Sequence, residues 1–342
     1  MALPDDEFEF FFDKPWSDGL PVVIPTGERI AEMLTGTERD HGEVIGEVPP
    51  ANETATVHSA AVHAVMAGCK AAHFPGVLAS LEAVLEEPFN INGIQATMQS
   101  CAPLTIFNGP YGKEIGLHGG SGCFGPGFRA NATIGRAIRL ILMNLGAGIP
   151  GATSMSTFSQ PSRYTYCIRE NEEESPWEPL SVTRGFRAEE NVVTAVAVEN
   201  PKTIFDDTSN RPETLLAGIV DGMAHLGGMN ALRRSDMVVG ISPDHAQICI
   251  DAGWSKGNVH NWLCEKAGKT LGELKTGGGY HEDRIQDLPI EVDLNDDSFF
   301  VPTMKVPGDL IVIVAGGIPG PISVIMSGWN GASRPVTRAF MP

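Results

Sequence analysis

Residues 108–136 hold most of the side chains that could do chemistry in this chain, reading NGPYGKEIGLHGGSGCFGPGFRANATIGR. Glycine at this density lets backbone N–H groups converge. The helix expected next would aim its partly positive N-terminus, with its unpaired N–H donors, back at the loop. Arg129 and Arg136, with Arg139 beyond them, add fixed positive charge whose planar fork pairs well with a carboxylate or a phosphate. The expected ligand is therefore a small anionic molecule, held by Asn108, Gly120, Ser121, Gly122, Arg129, Asn131 and Arg136. Cys123 lies in the same loop, where donors and arginines would lower a thiol pKa and make it a nucleophile. Its plainer reading is a small apolar residue filling a tight turn. His118, five residues earlier, is the candidate base for that thiol, against the plainer reading of a loop histidine.

Three further features compete for a role. Glu170 ends an apolar, strand-like stretch and is the member of the acidic run Glu170-Asn-Glu-Glu-Glu best placed for acid or base work. Gly316 and Gly317 begin a second glycine-rich loop after another apolar run, the usual place for a ligand loop in an open α/β sheet. His58, His63 and His73 surround Cys69, but His58 and His63 are five apart and fall on different helix faces. Neither an H-E-x-x-H nor a C-x-x-C pattern occurs, so no metal ligand and no cofactor is assigned. Gly120-Ser-Gly-Cys-Phe-Gly fits the dinucleotide G-x-G-x-x-G pattern. The preceding strand ends too early for that turn, however, and the acid expected some twenty residues on is missing.

The elements that would position these groups read as short and alternating. A helix is expected near 28–34, two helices over 55–87 with a break at Phe74-Pro75, a strand over 95–107, and a strong amphipathic helix from about 131 to 145. Strands follow at 164–169, 192–198, 237–241 and 309–315. Helices begin after Asn210-Arg-Pro-Glu, at Ser242-Pro and at Ser255-Lys. Residues 276–308 read as loop-rich. The expected fold is α/β, with two related or similar-sized halves whose mixed sheets carry flanking helices: an N-terminal arm over 1–50, a first α/β domain over 51–179 and a second over 180–342. Ala-Gly-Ile-Pro-Gly at 147–151 recurs as Gly-Gly-Ile-Pro-Gly at 316–320 and is the sequence hint of duplication.

Composition narrows the function classes. With 24 Lys and Arg against 42 Asp and Glu, the net charge of −18 opposes a nucleic-acid grip or an anionic membrane surface. No apolar run approaches the ~20 residues of a membrane helix. The acidic N-terminus is unlike a basic secretory signal, and the six cysteines are widely spaced rather than a disulfide framework, so a cytoplasmic protein is expected. The phenylalanines of the Pro-punctuated arm need a surface to bury them, which makes a homo-oligomer the expected state.

Three stretches, AVMAGCK at 64–70, GPGFRANATIGRA at 125–137 and ENEEESPWEP at 170–179, resemble a poorly characterised bacterial family associated with small thiol or selenol proteins of the UGSC-motif type. The resemblance names a group without naming a reaction, and it shifts weight from Cys123 and His118 toward Arg129, Asn131 and the backbone loop. Together these readings give an enzyme of lyase or hydrolase type acting on a small anion, with Cys123 as a nucleophile in one version. The alternatives are a non-catalytic subunit partnering a thiol or selenol redox protein, and a dinucleotide-dependent oxidoreductase.

Overall fold

In the computed structural model, residues 7–12, 14–277, 292–329 and 331–342 are described. The strands are β1 Val44–Val48, β2 Glu53–Thr56, β3 Ala102–Asn108, β4 Cys167–Arg169, β5 Val192–Val198, β6 Lys202–Phe205, β7 Met237–Ile241, β8 Gly268–Thr270, β9 Phe300–Pro302, β10 Leu310–Val314, β11 Ile322–Ser327 and β12 Val336–Ala339. They build two four-stranded mixed sheets, β12-β5-β3-β4 and β10-β7-β11-β6, and two short ribbons, β1-β2 and β8-β9.

Period-two alternation decides what each strand buries. On β10, Leu310, Val312 and Val314 face helices while Ile311 and Ile313 face the other sheet. On β5, Val193, Ala195 and Ala197 join the helix-side core, and Val196 and Val198 the inter-sheet core. The inter-sheet core joins Leu104, Ile106, Ile168 and Val196 of one sheet to Val238, Ile311, Ile313 and Met326 of the other. Helices Val57–Ala67, Phe74–Leu85 and Arg129–Asn144 supply residues to the outer core of the first sheet. Pro212–Met223, Pro243–Asp251 and Lys256–Lys266 do so for the second. The result is four layers, helix, sheet, sheet, helix, so the all-buried run at 192–198 is covered on both faces.

Both sheets repeat one plan. A central strand (β3 or β7) pairs in parallel with the strand that returns after helices (β4 or β10), and antiparallel on its other side with β5 or β11. The edge strands are exchanged: β5 is followed by β6, which pairs with β11, and β11 is followed by β12, which pairs with β5. The two Gly-Ile-Pro-Gly motifs do not occupy equivalent places in this repeat. The first follows a helix and the second follows β10, whose counterpart is the acidic run after β4.

Local signals account for most helix starts. Ser242 accepts from the His245 N–H and Ser255 from the Asn258 N–H, each with its side chain capping the first turn. Pro75 sits in the first turn of Phe74–Leu85, where its missing N–H costs nothing. Two expectations need correcting. Gln95 and Ala96 end a helix, Ile91–Ala96, started by Asn90, so the strand expected over 95–107 starts only at Ala102. Residues 44–48, expected within the arm, pair with Glu53–Thr56 in the β1-β2 hairpin. No helix among the described residues is long and apolar enough to cross a membrane.

Candidate functional site

The two glycine-rich loops touch. Gly316 N–H donates to the Gly119 carbonyl at 2.9 Å, and a Cβ on Gly317 would stand 2.6 Å from Ser121 Cβ, so only glycine lets the second loop lie this close. Beneath them the carboxyl ends of β4 and β10 meet, with Asn171 N–H donating to Val314 O at 2.9 Å. Gly120, Ser121, Gly122, Cys123, His118, Asn131, Gly316 and Gly317 therefore gather at the junction of the two sheets, with Asn108 and Glu170 below.

Within that gathering the side chains are committed to holding the loops. Asn131 accepts from His118 N–H at 2.8 Å and donates to the carbonyls of His118 (2.9 Å) and Cys123 (3.2 Å), so it clamps the loop rather than facing a ligand. The His118 ring stacks on Phe128 with centroids 3.7 Å apart, and its Nε2 meets the Ser121 carbonyl at 2.9 Å. It makes no bond to Cys123 and is not positioned as its base. Cys123 is 5% exposed, and burial pushes its thiol pKa up to about 11 despite backbone N–H groups of Gly316, Phe124 and Cys123 that favour the thiolate. The expected lowering is thus reversed, because a tight apolar turn withholds more solvation than these amides return.

Glu170 is fully buried and works as a knot between the halves. Its carboxylate accepts from Asn108 Nδ2 (2.7 Å), the Leu180 N–H (2.6 Å), the Val314 N–H (3.3 Å) and Lys256 Nζ (3.3 Å). Asn108 also donates to Glu172 at 2.8 Å, so it too is a bracing residue. Lys256, in a helix start read from sequence only as a cap signal, had no local mark of this role. The G-x-G-x-x-G match at 120–125 lies in turns, twelve residues past the end of β3 at Asn108, and lacks the strand-to-helix setting that motif needs.

The arginines part company. Arg136 is spent on the arm, with Nε and Nη2 each 2.8 Å from the Asp18 carboxylate, and is not available to a ligand. Arg129 is exposed at the first position of its helix, whose N-cap residue Phe128 provides no side-chain cap. Its Nε donates to the Gly68 carbonyl at 3.0 Å, satisfying the left-handed end of helix Val57–Ala67 and leaving the outer guanidinium nitrogens open. There it lines a cleft of about 540 Å³ with Arg29, Lys70, Glu32 and Cys69. None of the three cations is in an ion pair among the described residues. Their field reaches the buried His73, whose pKa is pushed down to about 4 by burial first and then by Arg129 and Lys70. Arg29 and Lys70 were missed because neither stands near Arg129 in the chain.

Among the described residues no group of three or more His, Cys, Asp or Glu side chains is arranged to hold a metal ion. His63 instead bonds the Ser59 carbonyl at 2.7 Å, and His73 meets Thr133 Oγ1 at 3.2 Å. Compared with protein-family models, with curated proteins and with solved structures, the chain finds no match in any of the three.

Proposed function

We propose that the protein is an enzyme that takes a small carboxylated or phosphorylated molecule into the cleft between Arg29, Lys70 and Arg129, and converts it by stabilising developing negative charge, in the manner of a lyase or hydrolase. One observation carries this reading: three cations from three separate elements line one cleft without ion-pair partners among the described residues, in a chain of net charge −18. Such a local reversal of potential concentrates anions, and fixed donors at an oxyanion are the largest single contribution in many acyl and phosphoryl reactions. Covalent attack by Cys123 has less support, since its thiol is protonated near neutral pH. Docking of a thiol or selenol protein would need a presented thiol, and five of the six cysteines are buried.

Calorimetric titration with inorganic phosphate and with malonate at low salt tests the cleft. Binding should weaken about tenfold or more in Arg129→Ala, be partly restored in Arg129→Lys, and fall with ionic strength. Equal affinity in the parent and in a folded Arg129→Ala protein, or binding in neither, would remove the cleft from the account.

A further inference from the structure

A second cationic cavity lies farther along the same helix. Arg139 is ten residues beyond Arg129, roughly 15 Å up the helix axis, and the two cavities share no lining residue. Arg139 and Arg163 line an open cavity of about 450 Å³ together with Met143, Pro150, Phe158 and Tyr164. The same two arginines also line a nearly filled void of about 20 Å³, so they stand as a wall between the protein interior and the open cavity.

Neither guanidinium has a carboxylate partner among the described residues. Arg163 is 8% exposed, and its bonds run to neutral acceptors: Nε to the Cys101 carbonyl (2.9 Å), Nη1 to Ser154 Oγ (2.5 Å) and Nη2 to the Gln99 carbonyl (3.4 Å). Arg139 makes one bond, from Nη2 to the Gly148 carbonyl at 3.1 Å. A guanidinium carries five N–H donors, so most of those on Arg139 and some on Arg163 have no protein acceptor among the described residues and are left to the open cavity. The acid that lines the cavity, Asp18, is already held at both oxygens by Arg136.

Arg163 is buried and Arg139 half-buried, and holding two like charges this close without a carboxylate in ion-pair range among the described residues is unfavourable. Arg139 has its pKa lowered to about 10 by burial first and then by the like charge of Arg163, with Asp18 opposing. An anion bound there would offset the like charge of the two arginines and accept from their open N–H groups. Met143, Pro150, Phe158 and Tyr164 make most of the remaining wall apolar, beside the polar Ser159 and Gln160, and Phe158 at the rim is 91% exposed, a large ring that no described residue covers. The cavity is within the usual range for a small-molecule pocket.

We infer that the Arg139–Arg163 cavity is a binding site for a small monocarboxylate with an aromatic or branched apolar body, its carboxylate on the two guanidiniums and its body against Met143, Pro150, Phe158 and Tyr164. A planar carboxylate matches the arginine fork. A phosphate dianion is disfavoured because the Asp18 carboxylate lines the same space and would repel the second charge. This site is separate from the cleft of the proposed function and stands or falls without it.

The test is calorimetric titration of the full chain with phenylacetate, with its neutral analogue phenylacetamide, and with inorganic phosphate. Phenylacetate should bind, at least about tenfold more weakly in Arg139→Met and several-fold more weakly in Phe158→Ala, and phenylacetamide should bind at least about tenfold more weakly than phenylacetate. Phenylacetate affinity should be unchanged in Arg129→Ala, which separates this cavity from the cleft. Phe158→Ala alters an exposed ring and keeps the test open if Arg139→Met does not fold. The inference is overturned by no phenylacetate binding up to about 10 mM, by binding insensitive to Phe158→Ala, or by equal affinity in folded Arg139→Met. Phosphate binding that Arg139→Met abolishes would likewise overturn it.

Discussion

Removing either member of the Glu170–Lys256 pair should loosen the joint between the halves, and by unequal amounts. The glutamate is fully buried and the lysine side chain is 4% exposed. After Lys256→Met, the carboxylate keeps three N–H donors, from Asn108, Leu180 and Val314. After Glu170→Gln, Lys256 keeps the Glu178 carbonyl at 2.9 Å, and the new amide must turn an N–H toward either the Lys256 ammonium or the Asn108 and Leu180 donors. Breaking a buried pair costs about 3–5 kcal/mol when the survivor is left uncompensated. Glu170→Gln should therefore reach that range and Lys256→Met about 2–3 kcal/mol, the residual donors offsetting part of the loss. Urea unfolding followed by far-UV circular dichroism measures both, and the double variant should cost less than the sum of the two. If both single variants unfold within ~0.5 kcal/mol of the parent, the assignment of Glu170 to bracing is wrong and a catalytic role for it returns.

Two other outcomes follow from burial. Burial, and after it the negative field of Asp309, raises the Asp236 carboxyl from 3.8 to about 7, opposed by Arg334 and Arg184. A carboxyl with a raised folded-state pKa contributes stability that is fully present below its unfolded value near 4 and is lost as pH climbs through 7. Asp236→Asn should flatten the stability profile across that window and leave the protein about 1–4 kcal/mol more stable than the parent at pH 8; an unchanged profile in chemical denaturation would count against the paired carboxyls. For the thiols, native-state alkylation with iodoacetamide at neutral pH should reach the partly exposed Cys264 before the buried Cys123. Mass spectrometry showing Cys123 modified first would restore it as a reactive group.

The candidate site was legible in parts. Glycine density after apolar runs marked each loop separately as a candidate; that Cys123, His118, Ser121 and the glycines gather with Gly316 and Gly317 was not legible. Their roles were not legible, because a role depends on the partner. Arg136 and Arg129 sit seven residues apart on one helix. One meets Asp18, 118 positions away, and the other meets Gly68, 61 positions away. Nothing in the local sequence separates a guanidinium that will be neutralised from one that will stay open.

What the sequence determined by itself was the class of fold and the central strands and helices, but not the β1-β2 hairpin or the strands β6, β11 and β12. Caps at Ser242 and Ser255, the apolar run at 192–198 and the amphipathic pattern after Arg129 act over a few residues, so their physics is contained in a short window. Tertiary structure alone decided the exchanged edge strands, the knot at Glu170 and the two cationic cavities. Those depend on which distant surfaces close over one another, and charge pairing and solvent exclusion exist only once they have closed.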